Sequence, residues 1–227
     1  MRPGGIKFID TKTKRPAEGK RPEAHFLSFD GVDGAGKSTQ IGLLSQWLRA
    51  RGKVVVECRD PGSTPLGEKL RSLLLDRHDI SIHRMSEMLL YMAARAQLVE
   101  EVIRPALAAG KWVLSDRFLL ANVVYQAHAG GLDPDEVWQV GAVTVGGIMP
   151  RLAIVLDMPA ERAAARIQRE HDRMEAQGLE YLERVRQGFL IEAARRPDEI
   201  VVITADRPPE AVHADVVAAV TKLTSDS

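Results

Sequence analysis

The hydrophobic positions along the chain fall into short strand-like runs separated by longer stretches with helical spacing. The short runs are rich in β-branched residues, and their alternation with helices is typical of parallel strands joined by crossover helices. The predicted strands are 26–30, 53–58, 111–115, 151–157 and 199–203. The predicted helices lie near 37–51, 65–76, 84–109, 119–128, 134–146, 159–170, 179–196 and 208–222. We therefore expect an α/β fold in which a five-stranded parallel sheet is flanked by helices on both faces.

Residues 31–38, with the sequence GVDGAGKS, connect the first predicted strand to the first predicted helix. The spacing of Gly31, Gly36, Lys37 and Ser38 is that of a phosphate-binding loop, in which glycines let backbone N–H groups approach phosphate oxygens closely. A chance match is the alternative, but the strand–loop–helix order is the context that this motif requires. We expect Lys37 to reach the β- and γ-phosphates of ATP and the Ser38 hydroxyl to bind Mg²⁺. The predicted ATP-binding residues are Gly31, Val32, Asp33, Gly34, Ala35, Gly36, Lys37, Ser38 and Thr39.

Composition and charge narrow the possible partners. The 31 basic and 31 acidic residues cancel to a formal net charge of +0, so no global field recruits nucleic acid or a membrane surface. Cys58 is the only cysteine, which excludes an internal disulfide framework and fits a reducing cytoplasm. No apolar run approaches the roughly 20 residues that span a bilayer. We therefore expect a cytoplasmic protein whose partners include neither a nucleic-acid polymer nor a membrane.

The first 24 residues differ from the rest of the chain, because they are rich in lysine and arginine and lack a helix or strand pattern. We interpret residues 1–24 as a flexible basic tail and residues 25–227 as a single domain. An arm that binds nucleic acid is the alternative for the tail.

The residues that follow each predicted strand are candidates for the site, since ligands gather at the carboxyl ends of parallel strands. Asp116 ends the apolar run KWVLS, at the position of the carboxylate that orients hydrated Mg²⁺ in phosphate-loop enzymes, and Arg117 follows it. A helix N-cap aspartate beside a solvated arginine is the alternative.

Four further arginines lie in helical patterns. Arg95 stands on an otherwise apolar helix, where an unpaired charge is costly, so we expect an anion in the cleft to be its partner. Arg166, Arg169 and Arg173 lie in the sequence RIQREHDRME, for which a solvated charged face is the competing interpretation.

Five segments in order resemble the thymidylate kinase family, over nearly all of residues 25–222. They read GVDGAGKSTQ, RDPGSTPLGEKLRSLLL, YMAARAQLVEEVIRPAL, SDRFLLANVVYQ and DRMEAQGLEYLERVRQGF. The resemblance implies a P-loop kinase domain at residues 25–227 with a lid at about 165–178. It also implies transfer of the γ-phosphoryl group of ATP to dTMP with Mg²⁺, and a homodimer built on long helices, with 84–109 the main contributor.

The resemblance also assigns roles to individual residues. It implies that Lys37, Ser38 and Asp116 serve ATP and Mg²⁺ and that Asp33 lies near the acceptor sugar and the metal. Gly34 stands where one group of the family places a catalytic arginine, so the lid arginines Arg166, Arg169 and Arg173 should supply that charge, as in bacterial-type members. The implied substrate-binding residues are Arg59, to which no separate role is given, and Arg95 and Arg117, which would hold the dTMP phosphate. They also include Tyr91 for stacking on thymine, Tyr125 beside the sugar 2′ position, and Asn122 and Gln126 at the base edge.

The chain departs from the family pattern at two places near the acceptor. The second-strand loop reads RDPGST where REPGGT is usual, and Ala121 stands where serine is usual. Two alternatives therefore accompany the dTMP kinase hypothesis: a kinase for another nucleoside monophosphate or for a nucleoside, and a nucleotide-binding regulatory protein.

Overall fold

The structure, a computed structural model, describes residues 25–76, 80–167 and 177–225. These residues form the predicted five-stranded parallel sheet, in the order β2-β3-β1-β4-β5. The strands are β1 (Phe26–Asp30), β2 (Val55–Arg59), β3 (Trp112–Asp116), β4 (Leu152–Asp157) and β5 (Ile200–Thr204). Each predicted strand is confirmed, with bounds that shift by no more than about two residues. The predicted α/β class with a flanked parallel sheet is therefore correct.

The helices of the described residues connect these strands. They are α1 (Lys37–Arg49), α2 (Pro65–Leu75), α3 (Arg84–Leu98), α4 (Arg104–Ala108), α5 (Leu119–Asn122), α6 (Pro134–Val145), α7 (Ala160–Ala164), α8 (Leu179–Arg195) and α9 (Pro209–Ser225). Local sequence explains several starts: in α2, for example, the Thr64 hydroxyl accepts from the backbone N–H of Gly67, and Pro65 occupies the first turn.

Two predicted helices contain wider π-helical turns. The predicted helix 84–109 is α3 followed by a π-helical segment (Val99–Ile103) and α4, and the predicted helix 119–128 is α5 followed by a second such segment (Val123–His128). Pro105 accounts for the first, because it has no N–H for the carbonyl four residues before it. The predicted helix 159–170 ends early, since α7 stops at Ala164 and residues 168–170 lie outside the described chain.

The apolar side chains of the described residues form two clusters, which divide the side chains of β1 between them. Leu27 and Phe29 of β1 pack in the cluster that includes α1, α8 and α9, whereas Phe26 packs in the cluster that includes α3 and α6. This division follows from the strand geometry, because successive side chains point to opposite faces. Cys58 is buried in the second cluster, and burial raises the pKa of its thiol to about 12. It is therefore a protonated thiol in the core at neutral pH.

No helix among the described residues is both long and apolar enough to cross a membrane.

Candidate active site

The loop at residues 31–38 joins the end of β1 to the first turn of α1. Gly34 has a φ of +86° and Gly36 a φ of +97°, conformations that a residue with a Cβ adopts only at a cost. A Cβ on Gly34 would lie 2.1 Å from the carbonyl oxygen of Ala163, whereas a Cβ on Gly36 would meet no other part of the described chain within 4 Å. Glycine at position 34 is therefore required by the packing of α7, while the space beside Gly36 is open to a ligand.

Lys37 is buried in the loop and is held by it. Its Nζ donates to the carbonyl oxygens of Gly31, at 3.3 Å, and Val32, at 3.0 Å, and lies 3.1 Å from Asp33 Oδ1. Burial alone would raise the pKa of Asp33, but Arg117 and Lys37 outweigh that effect and hold the pKa well below its ordinary value. Asp33 is thus an ionised carboxylate between two cations at neutral pH.

Arg117 joins the loop to the neighbouring cavity. Its guanidinium donates to the Gly31 carbonyl at 3.1 Å, to Asp33 Oδ1 at 2.8 Å and to the Tyr125 hydroxyl at 3.0 Å. Arg117 adopts a φ of +67°, a conformation that is unfavourable for a residue with a side chain, by about 1–2 kcal/mol. A strained conformation persists only where the surrounding structure holds it, and such conformations are concentrated at active sites and ligand-binding sites.

Two carboxylates lie at the ends of the adjacent strands β1 and β3. Asp116 Oδ1 and Asp30 Oδ1 are both buried, and neither has a hydrogen-bond partner among the described residues. Burial raises the pKa of Asp30 to about 6, although Arg117 opposes that rise. The sequence analysis missed Asp30, but its position, directly before the phosphate-binding loop, was a usable signal. Ser38 lies exposed in the first turn of α1, facing solvent.

A cavity opens beside the loop at the carboxyl ends of the strands. Six of the predicted substrate-binding residues line it: Tyr91, Arg95, Arg117, Asn122, Tyr125 and Gln126. The tertiary structure therefore brings together residues from α3, from the end of β3 and from the helix that follows it.

Arg59 is placed differently from these six. Its guanidinium is half exposed and pairs with Glu68 at 2.7 Å, and Arg59 is not among the residues that line the cavity.

Arg95 is buried, but its charge is not left unpaired by the chain, as the sequence analysis assumed. Its Nε lies 2.5 Å from Asp60 Oδ2, and its Nη2 donates to the Phe118 carbonyl at 3.3 Å. The charge that the sequence left unpaired is therefore compensated by a carboxylate of this chain, which also lines the cavity. Asp60 lies 35 residues away in sequence, so no local pattern indicated the pair.

Arg71 is a cavity residue that the sequence analysis missed. It is half buried in α2 and donates to the Pro61 carbonyl at 3.0 Å. Burial lowers its pKa, and the positive charges of Arg59 and Arg117 lower it further, although Asp116 and Glu68 oppose that shift. A signal was present in the sequence, since an arginine stands between Leu70 and Leu74 on a helix that follows a strand-end loop.

The amides at the far wall of the cavity form a chain of hydrogen bonds. Asn122 Nδ2 donates to Gln126 Oε1 at 2.7 Å, and Gln126 Nε2 donates to Glu87 Oε1 at 3.0 Å. Asn122 Oδ1 is buried and has no hydrogen-bond partner within the described part of the chain. Asn122 and Gln126 are thus hydrogen-bonded to each other, and one acceptor atom of the cavity-lining residue Asn122 has no partner among the described residues.

The predicted lid is described only at its two ends. Arg166 lies 3.4 Å from Asp206 Oδ1, beyond the end of β5. The predicted lid covers residues 165–178, and residues 168–176 lie outside the described part of the chain. Arg169 and Arg173 are among them. On the far side, Gln177 Oε1 accepts from Arg84 at 2.9 Å.

The chain is similar to thymidylate kinases over most of its length. A family model described as thymidylate kinase matches residues 29–216. A thymidylate kinase from Rhodopirellula baltica is 45% identical over 213 residues, which cover 92% of this chain and 86% of that protein. One from Kosmotoga olearia is 42% identical over 194 residues, covering 85% and 93%. The crystal structure of thymidylate kinase from Ehrlichia chaffeensis matches with a TM-score of 0.72 at 28% identity, covering 88% of this chain and all of that one.

Proposed function

Because this chain belongs to the thymidylate kinase family and transfers the γ-phosphoryl group of ATP to dTMP, we propose that the cavity beside the phosphate-binding loop is the dTMP site. The observation that carries this proposal is the position of Arg117, whose guanidinium contacts both the loop and Tyr125 of the cavity. A dTMP phosphate held by Arg117 would therefore lie where the cavity meets the phosphate-binding loop, next to the proposed ATP site.

The proposed chemistry is electrostatic and needs no general base. The second pKa of a phosphate monoester is near 6, so the acceptor is largely a dianion at neutral pH. The remaining task is to bring two polyanions together and to stabilise charge on the transferring group. Arg71 supplies net positive charge to the acceptor phosphate, whereas Arg117 and Arg95 add mainly hydrogen-bond donors, since Asp33 and Asp60 balance their charges.

The proposed ATP site is the backbone of residues 31–39 with Lys37. The Lys37 ammonium has three donors, which the loop carbonyls and Asp33 occupy in this structure. We propose that a β- or γ-phosphate oxygen replaces Asp33 as one of its partners. Asp33 then remains paired with Arg117, which keeps that guanidinium directed towards the acceptor.

Mg²⁺ is proposed to bind at Ser38 and Asp116. Asp116 Oδ1 has no protein partner among the described residues, and hydroxyl and carboxylate oxygens suit this cation. Mg²⁺ commonly keeps several waters and binds through one or two protein groups together with the phosphates. When bound, it would neutralise charge on the phosphates of ATP. Asp116→Asn should therefore raise the Mg²⁺ concentration needed for half-maximal ATP binding in a fluorescent-nucleotide titration.

The nucleoside end of the proposed site selects thymine and deoxyribose. We propose that Tyr91 stacks on the base, that Asn122 and Gln126 face its polar edge, and that Tyr125 lies beside the sugar 2′ position. All four side chains line the cavity.

The transition-state charge is proposed to come from the lid arginines Arg166, Arg169 and Arg173. Position 34 cannot carry a side chain without meeting the backbone of α7, so this position has no room for an arginine. Single replacement of each lid arginine by alanine should identify the catalytic one as the variant that loses the most kcat. If none of the three replacements lowers kcat, the proposed role of the lid arginines is wrong.

A homodimer is proposed through the outer face of α3 and α6. Met85 and Leu89 of α3 and Val143 of α6 are large apolar residues that are 41%, 49% and 84% exposed. The two helices pack on each other, so a second copy of the chain could cover both. Leu89→Glu should shift the protein to monomer in sedimentation velocity, whereas Ile191→Glu on α8, at a similar exposure, should not. A monomeric wild type, or two variants that both stay dimeric, would refute this interface.

We also propose a cytoplasmic location, because the chain has one cysteine and it is a buried thiol. The substrates ATP and dTMP, and a second copy of the chain, are the partners that this function requires.

The test of the proposed site is a coupled assay of ADP formation with dTMP, dUMP, UMP and dCMP. We expect a modest preference for dTMP over dUMP, about 10- to 200-fold, because one methyl group in an apolar niche gives no more. We expect a larger preference over UMP, whose 2′-OH would meet Tyr125. Equal use of UMP and dTMP would contradict the proposed placement of the sugar.

A further inference from the structure

Glu87 is a buried carboxylate next to the cavity that the proposed function does not use. It lies on α3 one turn before Tyr91, and its side chain is 0% exposed. Arg84 Nη1 lies 3.3 Å from its Oε1 and supplies a counter-charge. Its Oε1 also accepts from Gln126 Nε2 at 3.0 Å, so Glu87 is linked directly to the amides at the base edge.

The orientation of those amides follows from the chemistry of Glu87. A carboxylate that forms an ion pair, as Glu87 does with Arg84, offers only hydrogen-bond acceptors, so Gln126 must direct its NH₂ group towards it. The Gln126 oxygen then points the other way and accepts from Asn122 Nδ2, at 2.7 Å. Asn122 is thereby left with its oxygen as the free group, and Oδ1 is buried without a hydrogen-bond partner among the described residues.

The opposite orientation of the chain would be unfavourable. If Gln126 were reversed, its oxygen would face the Glu87 carboxylate, and two buried acceptors would meet without a proton between them. Leaving buried polar groups unpaired costs a substantial part of the binding or folding energy. One carboxylate therefore decides the direction of two successive amides.

We propose that Glu87 is a positioning residue that sets base selectivity, by fixing Asn122 as a hydrogen-bond acceptor at the cavity. An acceptor there is complementary to the ring N–H of thymine or uracil. It opposes cytosine, whose corresponding ring nitrogen carries a lone pair instead of a proton. The inference rests on the proposed role of Asn122 at the base edge.

The experiment compares Glu87→Gln with Glu192→Gln as a matched control. Glu192 is also 0% exposed, and it accepts from His128 and Trp138 away from the cavity. The measurement is the ratio of kcat/KM for dTMP to kcat/KM for dCMP, with urea unfolding of each variant. A glutamine at position 87 can donate to Gln126 Oε1, which allows both amides to reverse and Asn122 to present its NH₂ group.

Glu87→Gln should lower the dTMP/dCMP ratio about 10- to 100-fold, the size expected when a buried polar group loses its partner. Glu192→Gln should leave the ratio within about twofold of wild type, even if stability falls equally. In a Gln126→Leu background, where the chain is already broken, Glu87→Gln should change the ratio no further.

Two results would overturn the inference in distinguishable ways. If Glu87→Gln lowers kcat/KM equally for both substrates while Asn122→Ala lowers their ratio, Glu87 has only a structural role and the proposed base edge stands. If Asn122→Ala also leaves the ratio unchanged, the proposed role of Asn122 fails, and the inference fails with it.

Discussion

Replacement of Gly34 by alanine should destabilise the protein more than the same replacement at Gly36. Both glycines have left-handed backbone conformations, with φ values of +86° and +97°. They differ in their surroundings, because a Cβ at position 34 would lie 2.1 Å from the Ala163 carbonyl oxygen and 2.8 Å from its carbon. At position 36 the Cβ would meet no other described atom within 4 Å. The pair therefore separates backbone strain from steric overlap.

The expected magnitudes follow from these two contributions. A left-handed conformation costs a residue with a Cβ about 1–2 kcal/mol, and this should be the whole effect of Gly36→Ala on the free energy of unfolding. Gly34→Ala adds overpacking against a backbone carbonyl, worth about 1–3 kcal/mol more. The total for Gly34→Ala is then about 2–5 kcal/mol, and each kcal/mol should lower Tm by about 2–4 °C in a chain of this size.

The assay is urea unfolding of the nucleotide-free protein, followed by circular dichroism. Without nucleotide, any clash between the new methyl group and a phosphate cannot contribute. Equal destabilisation by the two variants would refute the claim that α7 abuts the loop. It would also remove the steric argument that places the transition-state arginine in the lid.

Four further outcomes are expected. Lys37→Ala should lower kcat by about 10²- to 10³-fold in the coupled ADP assay while the protein stays folded, because an electrostatic clamp is lost; near-wild-type turnover would contradict its assignment. Asp30→Asn should stabilise the nucleotide-free protein by up to about 3 kcal/mol at pH 8 but not at pH 4, measured by urea unfolding. Burial raises the pKa of Asp30 from 3.8 to about 6, so the folded state disfavours the charged carboxylate. The wild type is therefore less stable than Asp30→Asn above pH 6. This difference in the free energy of unfolding disappears as the pH falls from 6 towards 4 and the carboxylate is protonated. Tyr125→Ala should reduce the dTMP/UMP ratio of kcat/KM more than the dTMP/dUMP ratio, and equal reductions would argue against its place at the sugar. Deletion of residues 1–22 should preserve Tm and activity, and a fall of many degrees would show that the tail packs on the domain.

Much of the site could be predicted because its signals are local. The phosphate-binding loop is one continuous segment, and glycine, lysine and serine at fixed spacing carry its chemistry. The strand ends could be located because the hydrophobic period changes there, and parallel topology brings those ends to one edge of the sheet. Resemblance then supplied roles that spacing alone does not contain, such as those of Tyr91 and Asn122.

The sequence by itself determined the strands, the loop and the cationic character of the cleft, because each depends on residues that are close in the chain. The tertiary structure alone decided how the charges are partnered. Arg95 pairs with Asp60 across 35 residues, and Arg117 reaches Asp33 across 84. Such contacts depend on the direction of side chains from separate elements, which hydrophobic periodicity does not specify. For the same reason the link from Gln126 to Glu87, 39 residues apart, became visible only when α3 was packed beside the helix that carries the base-edge amides.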